Sequence, residues 1–251
     1  MNPGAKNNRM RINRFLARAG VGSRREVEAL VTSGRVSING TIIKDLATYV
    51  DPESDSITLG DAKVELPDLV YYKYYKPRGL ITTMEDTHGR ESIEEIIRKN
   101  GLPKGTVPAG RLDMESEGLL ILTNDGDLLN KLTHPSHEIT KVYRVLIDCR
   151  PEETELNLLR GGIDCGEFIA IPKAVKRMGP QPADDEFPDG GYWLEITLGE
   201  GKKREIREML KAVNHAVFRL IRIQHGPVKT GQMKIGDVVE ISEEEKKSLL
   251  K

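Results

Sequence analysis

Between Ile12 and Ile43 the spacing of apolar residues changes from the period of a helix to the period of a strand. That change fixes most of what the start of the chain can form. Ile12, Phe15, Leu16 and Ala19 fall at i, i+3, i+4 and i+7, one stripe of a helix. Gly20 and Gly22 end it. Ser23 and Glu26 have the spacing of a capping box, so a second helix starts at Arg24, with Val27, Leu30 and Val31 on its apolar side. Gly34 suits the left-handed position that closes a helix. Arg35-Val36-Ser37-Ile38 then alternates polar and apolar, Asn39-Gly40 is a strong hairpin signal, and Thr41-Ile42-Ile43 returns. The order is helix, helix, hairpin.

The outer side of these helices carries Arg11, Arg14, Arg18, Arg24 and Arg25. From Met1 to Lys44 there are nine lysines or arginines against only Glu26 and Glu28. The whole chain hides this, because its 38 basic and 39 acidic residues leave a net charge of −1. The sign reverses from Asp45 to Asp68. It turns basic again from Lys202 to Lys229, and acids at Asp184 to Glu186 and Glu243 to Glu245 complete the balance. A polyanion meets the local field rather than the sum. Five arginines can be a solvated face, but guanidinium forks also match phosphate oxygens. The run RINRFLARAGVGSRREVEALVTSGRVSINGTII resembles the S4 RNA-binding domain. The resemblance implies that these arginines bind structured RNA.

The 251 residues are long enough for two domains, and 38% hydrophobic composition with a mean hydropathy of −0.43 reads as soluble and globular. No window approaches 18 uninterrupted apolar residues, so no membrane helix or membrane association is expected. The N-terminus lacks the apolar stretch of a secretory signal. Cys149 and Cys165 are too few for a disulfide framework, which points to a reducing cytoplasm. Acidic, proline-punctuated turns surround one short strand, Ser56 to Leu59. A linker near Leu66 to Leu69 divides the chain into domains at 9–66 and 69–251.

In the second domain, strands are expected at Val70–Lys76, Leu80–Met84, Leu119–Thr123, Lys141–Asp148, Phe168–Val175, Tyr192–Leu198, Val217–Ile223 and Asp237–Ile241. Helices are expected at Ser92–Arg98, from Asn124-Asp125-Gly126 through Leu132, at Glu152–Arg160 and at Lys203–Val213. The elements alternate without a strict βαβ rhythm, so the fold class is α+β with a mainly antiparallel sheet and flanking helices. Gln181 to Gly191 reads as an exposed polar insertion.

Several chemical motifs fail. Leu198-Gly199-Glu200-Gly201-Lys202-Lys203 lacks the upstream glycine and the Ser or Thr of a phosphate loop. His134 and His137 have no Cys or His pair to complete a metal site. The serine-hydrolase elbow and the dinucleotide fingerprint are absent. What remains is Asp113 in Gly110-Arg111-Leu112-Asp113, ahead of a buried strand. Such an aspartate is often only a turn residue.

The segment GRLDMESEGLLILTNDGDL resembles the central motif of pseudouridine synthases, in the branch typified by the bacterial ribosomal enzymes RsuA, RluB, RluE and RluF. YKPRGLITT, HPSHEITKVYRV, LGEGKKREIREML and RLIRIQHGP continue the likeness in the family's order, over nearly the whole chain. The resemblance implies site-specific isomerisation of uridine to pseudouridine in ribosomal RNA, with the target base flipped out of its stack. No redox change and no external group are involved, so no cofactor and no metal are expected. By motif match Asp113 is the essential carboxylate, Tyr143 stacks on the base, and Arg207 keeps Asp113 charged and oriented. Leu220 closes the other side of the base, and Arg111 contacts the displaced nucleotide or fills its vacancy. Lys203 and Arg204 sit in the basic stretch expected to hold substrate.

Two departures from the family stand out. Lys202-Lys203-Arg204-Glu205 replaces an Arg-Asn-Arg-Gln type of run, and the acidic stretch near Asp184 is not a family feature. The YKPRG and GLLILTNDG runs resemble RluB-like proteins, which points to 23S rRNA or a ribosomal assembly intermediate as the partner of a monomeric enzyme. The alternatives are 16S rRNA as substrate, a non-catalytic S4-type RNA-binding protein, or a structural ribosomal protein.

Overall fold

The computed structural model describes residues 9–86 and 88–251. The part of the first basic block before Arg9, and the reading of the N-terminus, lie outside them. The chain forms two compact units. The first runs to Val70 and takes in Ile97–Val107 and Thr123–Gly126; the second is Tyr71–Ile96, Pro108–Leu122 and Asp127–Lys251. The sequence reading divides the chain once, between residues 66 and 69; the structure adds two short later segments to the first unit.

The first unit holds β1 (Met10–Arg11), α1 (Ile12–Arg18), α2 (Arg24–Thr32), β2 (Val36–Ile38), β3 (Thr41–Ile43), β4 (Tyr49–Val50), β5 (Ile57–Leu59) and β6 (Ala62–Lys63). Strands run β3-β2-β5-β6, all antiparallel. The capping box forms as expected. The Ser23 side chain accepts from the Glu26 N–H, and Glu26 accepts from the Ser23 N–H at 2.7 Å. Asn39 and Gly40 have φ of 50° and 80°, the mirror-image turn that matches the strand twist. Ile12, Phe15 and Leu16 are buried with Val27, Val31, Val36, Val50 and Ile57. Gly105 has φ of +78°, and a Cβ there would stand 2.2 Å from the Arg18 carbonyl oxygen, so only glycine lets this loop lie on the end of α1.

From residue 71 the elements are β7 (Tyr71–Lys76), α3 (Ile93–Lys99), β8 (Val107–Pro108), β9 (Glu117–Thr123), α4 (Gly126–Thr133), β10 (Lys141–Ile147), α5 (Glu153–Gly161), β11 (Ile163–Asp164), β12 (Ile169–Ala170), β13 (Ala174–Gln181), β14 (Gly191–Leu198), α6 (Glu205–Ala212), β15 (Val217–His225), β16 (Val228–Lys229), β17 (Val238–Glu240) and α7 (Glu243–Leu250). The main sheet has the order β13-β14-β10-β15-β9-β7-β17, with β8 on β9 and β16 on β15. β10 pairs antiparallel with β14 and β15, and β15 pairs parallel with β9. The α+β class with a mainly antiparallel sheet therefore holds. Every residue of β9 is buried: the apolar run Leu119–Leu122 demands it, and the polar ends Glu117 and Thr123 are buried with it. One core cluster joins Val145, Ile147, Leu194 and Ile196 to Leu156 and Leu159 of α5 and to Met209 and Leu210 of α6. Another joins Leu119 and Ile121 to Leu128, Leu132, Ile241 and Leu249.

Two expectations change and one helix is added. Leu80–Met84 is no strand; Ile81 makes only an isolated bridge to Ser92. Phe168–Val175 splits into β12 and the start of β13, because Ile171-Pro172-Lys173 interrupts the ladder. The acidic Glu243–Glu245 stretch opens helix α7, capped by Ser242. Among the described residues no helix is long and apolar enough to cross a membrane.

Candidate active site

The centre of the second unit holds a cavity of about 350 Å³ whose lining includes Arg111, Asp113, Tyr143, Lys203, Arg204 and Leu220. Six of the residues expected at the site thus share one pocket. Tyr143 and Leu220 stand on neighbouring strands. Tyr143 faces Arg222 across the β10–β15 ladder and Leu220 faces Val145, so the two side chains emerge on one sheet face. Both are nearly buried, at 8% and 6% exposure.

Asp113 lies on an exposed turn whose backbone is held from below. The ammonium of Lys76, itself fully buried, donates to the carbonyl oxygens of Ser116 at 2.7 Å, Pro77 at 3.0 Å and Asp113 at 3.1 Å. Gly79 N–H donates to Met114 O at 2.8 Å, and Thr82 Oγ1 donates to Leu112 O at 2.7 Å. The YKPRGLITT motif is therefore the clamp of the Asp113 loop. Burial pushes the Lys76 pKa down to about 8, against the opposing pull of Asp113 and Glu117.

Arg207 stands apart from the pocket lining. It donates from Nη1 to Val217 O at 3.2 Å and from Nη2 to Glu115 O at 3.4 Å, and its guanidinium lies 3.8 Å from the Glu115 carboxylate. Burial pushes its pKa down and Glu115 opposes. Among the described residues no ion pair within 4.0 Å joins it to Asp113. Glu115, two residues along the same turn, also draws Arg204 to 3.6 Å. Arg204 has φ of 54°, an uncommon left-handed conformation for arginine that aims the start of α6. Glu205, one of the departures from the family run, is buried. Its Oε2 accepts from the Lys202 N–H at 3.0 Å, and burial pushes its pKa up.

The second basic block is not all surface. Arg219 makes a two-pronged ion pair with buried Glu117, at 3.0 and 2.7 Å, and Arg222 is 2% exposed. The sequence does not reveal Arg222 and His225 as pocket-lining residues, nor Lys76 as the group that holds the Asp113 turn. The only signal was a charge inside an otherwise apolar strand. In the first unit Arg24 and Arg25 are exposed. Arg11 is exposed beside Tyr49, 3.4 Å from its hydroxyl, while Arg14 and Arg18 are half-buried. Arg18 donates from Nη2 to Pro67 O at 3.5 Å. The acidic insertion is docked: Phe187 stacks on Phe218 with ring centres 5.9 Å apart, and Glu186 lies 3.4 Å from Arg78.

Away from the pocket, Asp148, Cys149 and His215 place possible metal-ligating atoms within 4.8 Å of one another. His215 is already hydrogen-bonded to Asp148 at 2.8 Å and to Glu155 at 3.3 Å. Burial and the nearby carboxylates push the Cys149 thiol up.

The family model of RNA pseudouridylate synthase matches residues 70–212, and that of the S4 domain matches residues 10–56. The chain belongs to the RNA pseudouridylate synthase family. Among similar members is the ribosomal large subunit pseudouridine synthase B of Bacillus subtilis (strain 168), 34% identical over 239 residues, or 95% of each chain. An RNA pseudouridine synthase of Aquifex aeolicus (strain VF5), described as uncharacterized, is 36% identical over 96% of this chain and 94% of its own. A crystal structure of a pseudouridylate synthase shares the fold, with a TM-score of 0.63 at 24% identity, covering 96% of this chain and 99% of that one. As a pseudouridine synthase with an S4 domain, the protein is an RNA-binding isomerase that converts uridine to pseudouridine.

Proposed function

We propose that the substrate is a uridine of 23S rRNA, free or in a ribosomal assembly intermediate, and that Asp113 carries the reaction. The observation that supports the chemistry most is the pocket itself. It has one carboxylate on a clamped turn, an aromatic face at Tyr143, an apolar face at Leu220, and basic groups at Arg111, Lys203 and Arg204 around it. The likeness to the Bacillus subtilis large-subunit synthase supports the choice of rRNA.

The flipped uracil lies between Tyr143 and Leu220, and Arg111 holds the nucleotide or fills its place in the stack. Asp113 acts ionised, at the base, at C1′, or as the base that assists elimination. Arg207 closes on Asp113 when RNA draws Glu115 away, since catalytic contacts often tighten only in the bound complex. Arg11, Arg14, Arg24 and Arg25 take phosphates, and Arg18 joins them from a position anchored on Pro67. Residues 9–66 form the S4-like RNA-binding domain and 69–251 the catalytic domain of a cytoplasmic monomer that needs no cofactor.

Pseudouridine mapping of rRNA from a strain lacking the protein tests the substrate. One uridine of 23S rRNA loses its modification; an unchanged 23S map with a lost 16S site would move the assignment to the small subunit. Tritium release from C5-labelled uridine in the mapped segment tests the carboxylate. Asp113→Asn lowers it by more than about 1000-fold with RNA affinity kept within about threefold. An active Asn variant would remove Asp113 from the chemistry.

A further inference from the structure

Arg222 is the largest fully buried side chain on the pocket face, and its charge is unanswered. Nε donates to Leu119 O at 2.8 Å, Nη2 has no partner, and among the described residues no carboxylate lies within 4.0 Å of the guanidinium. An unpaired buried cation is costly, so such groups are retained where a ligand completes them.

Its position is built. Arg222 faces Tyr143 on one side and Gly118 on the other. A Cβ at Gly118 would stand 2.3 Å from the Arg222 carbonyl oxygen, so the glycine lets β9 press close and lock the strand. The β10–β15 register then shifts between Val142 and Tyr143, where Ile223 is passed over. This bulge turns His225 onto the same face as Arg222, opposite Lys141. His225 is fully buried, its Nε2 lies 3.2 Å from Leu132 O, and its Nδ1 has no partner. An Nε2 proton on the Leu132 carbonyl leaves Nδ1 an acceptor. Burial beside Arg222 and Lys141 keeps the ring neutral. The pocket floor therefore presents one donor and one acceptor, both idle.

We propose that Arg222 donates to a carbonyl oxygen of the flipped uracil while His225 accepts from its N3–H, and that Arg222 holds the charge the base acquires on detachment. The inference rests on the reading that this pocket receives the target uridine. Uracil offers a carbonyl oxygen on either side of N3–H; cytosine keeps O2 but has a bare N3 and an amino group in place of O4, so it fails at the His225 contact and, with the amino group toward Arg222, at both. When the N1–C1′ bond breaks, its electron pair goes to N1 and spreads over O2 and O4. The base then turns about the line through N3 and C6, which exchanges N1 with C5 and O2 with O4 but leaves N3–H in place. C5 bonds to C1′, the C5 proton departs and N1 takes one up, so atoms and charge balance. The same donor and acceptor hold the base before and after the turn. Both atoms are covered in the structure, so entry of the base requires adjustment of the side chains above them.

The test uses the full chain and transcripts of the rRNA segment identified by mapping, made with uridine, 2-thiouridine or 4-thiouridine. Sulfur accepts hydrogen bonds poorly, so wild-type single-turnover isomerisation slows at least about tenfold on one or both thio transcripts. Arg222→Met slows the uridine reaction about 100-fold or more, leaves RNA affinity within about threefold, and erases the thio penalty. Wild-type rates unchanged by both thio substitutions, or a folded Met variant at the wild-type rate, overturn the proposal. Should Arg222→Met fail to fold, the thio transcripts on the wild-type protein decide alone. A wild type that isomerises no unmodified transcript sinks the proposed function instead, whatever Arg222 does.

Discussion

At the scale of the residue, the fold spends a buried charge to shape the Asp113 turn. A lysine titrates near 10.5 in the unfolded chain and at about 8 here, with burial the main cause. Between those values the unfolded chain binds the extra proton, so this group's contribution to stability is fully present above 10.5 and is lost as pH falls through 8. Activity runs the other way. A neutral amine has only two N–H donors for the carbonyls of Pro77, Asp113 and Ser116, and the turn loosens. Turnover therefore declines above about pH 8 while the unfolding midpoint rises, and Lys76→Met removes both trends. Single-turnover rates and urea melts from pH 7 to 10 check this; rate and stability rising together would exclude Lys76 as the group. Asp113 itself was legible from its motif. Lys76, Arg222 and His225 were not, because a one-dimensional pattern shows neither which face of a strand is buried nor where a bulge re-aims it.

At the scale of the element, capping chemistry is the clearest link between sequence and fold. Ser23→Ala costs about 1 kcal/mol in denaturant unfolding, because the Glu26 N–H loses its acceptor. Ser242→Ala costs a similar amount through the Glu245 N–H at 3.3 Å. The same signature stands at both serines, yet only the first announced a helix. The run after Ser242 is acidic and its apolar residues, Leu249 and Leu250, come at the end, so no helical stripe accompanied the cap. What completes α7 is tertiary: Lys73 Nζ reaches Glu245 at 2.9 Å, and Leu249 is buried. Gly118→Ala is the sharper test of element packing. Its φ of +100° and the 2.3 Å approach to Arg222 O give the methyl nowhere to go, so destabilisation of at least about 2 kcal/mol is expected in urea unfolding. An unchanged midpoint would mean that β9 and β15 can separate freely.

At the scale of the whole molecule, the net charge of −1 is a sum that no partner experiences. Part of the basic excess is spent internally, as at Arg219 on Glu117, and part is left exposed, as at Arg24 and Arg25. Log affinity for the rRNA segment therefore falls with log salt, and Arg24→Ala and Arg25→Ala each reduce the slope by about 1, measured by filter binding from 50 to 300 mM salt. A flat dependence would sink the phosphate-contact reading. The α+β class was legible because periods of two and 3.6 alternate plainly along the chain. The two later segments of the first unit were not, since nothing local marks a loop such as Lys104-Gly105 as belonging with a helix some ninety residues earlier.

The parallel pairing of β9 with β15 sets an order of events. Glu117 and Arg219, which seal that junction, are 102 residues apart in the chain. Closing so long a loop carries an entropic cost that nearby contacts do not, so hairpins and helices form first and this seam forms after them. Tyr143 is made early and Leu220 late, and the pocket comes into being only when the two meet. On the ribosome, the chain must emerge past His225 before it can hold a uridine. A truncation ending before Val217 keeps the Asp113 motif intact in sequence and has no site at all.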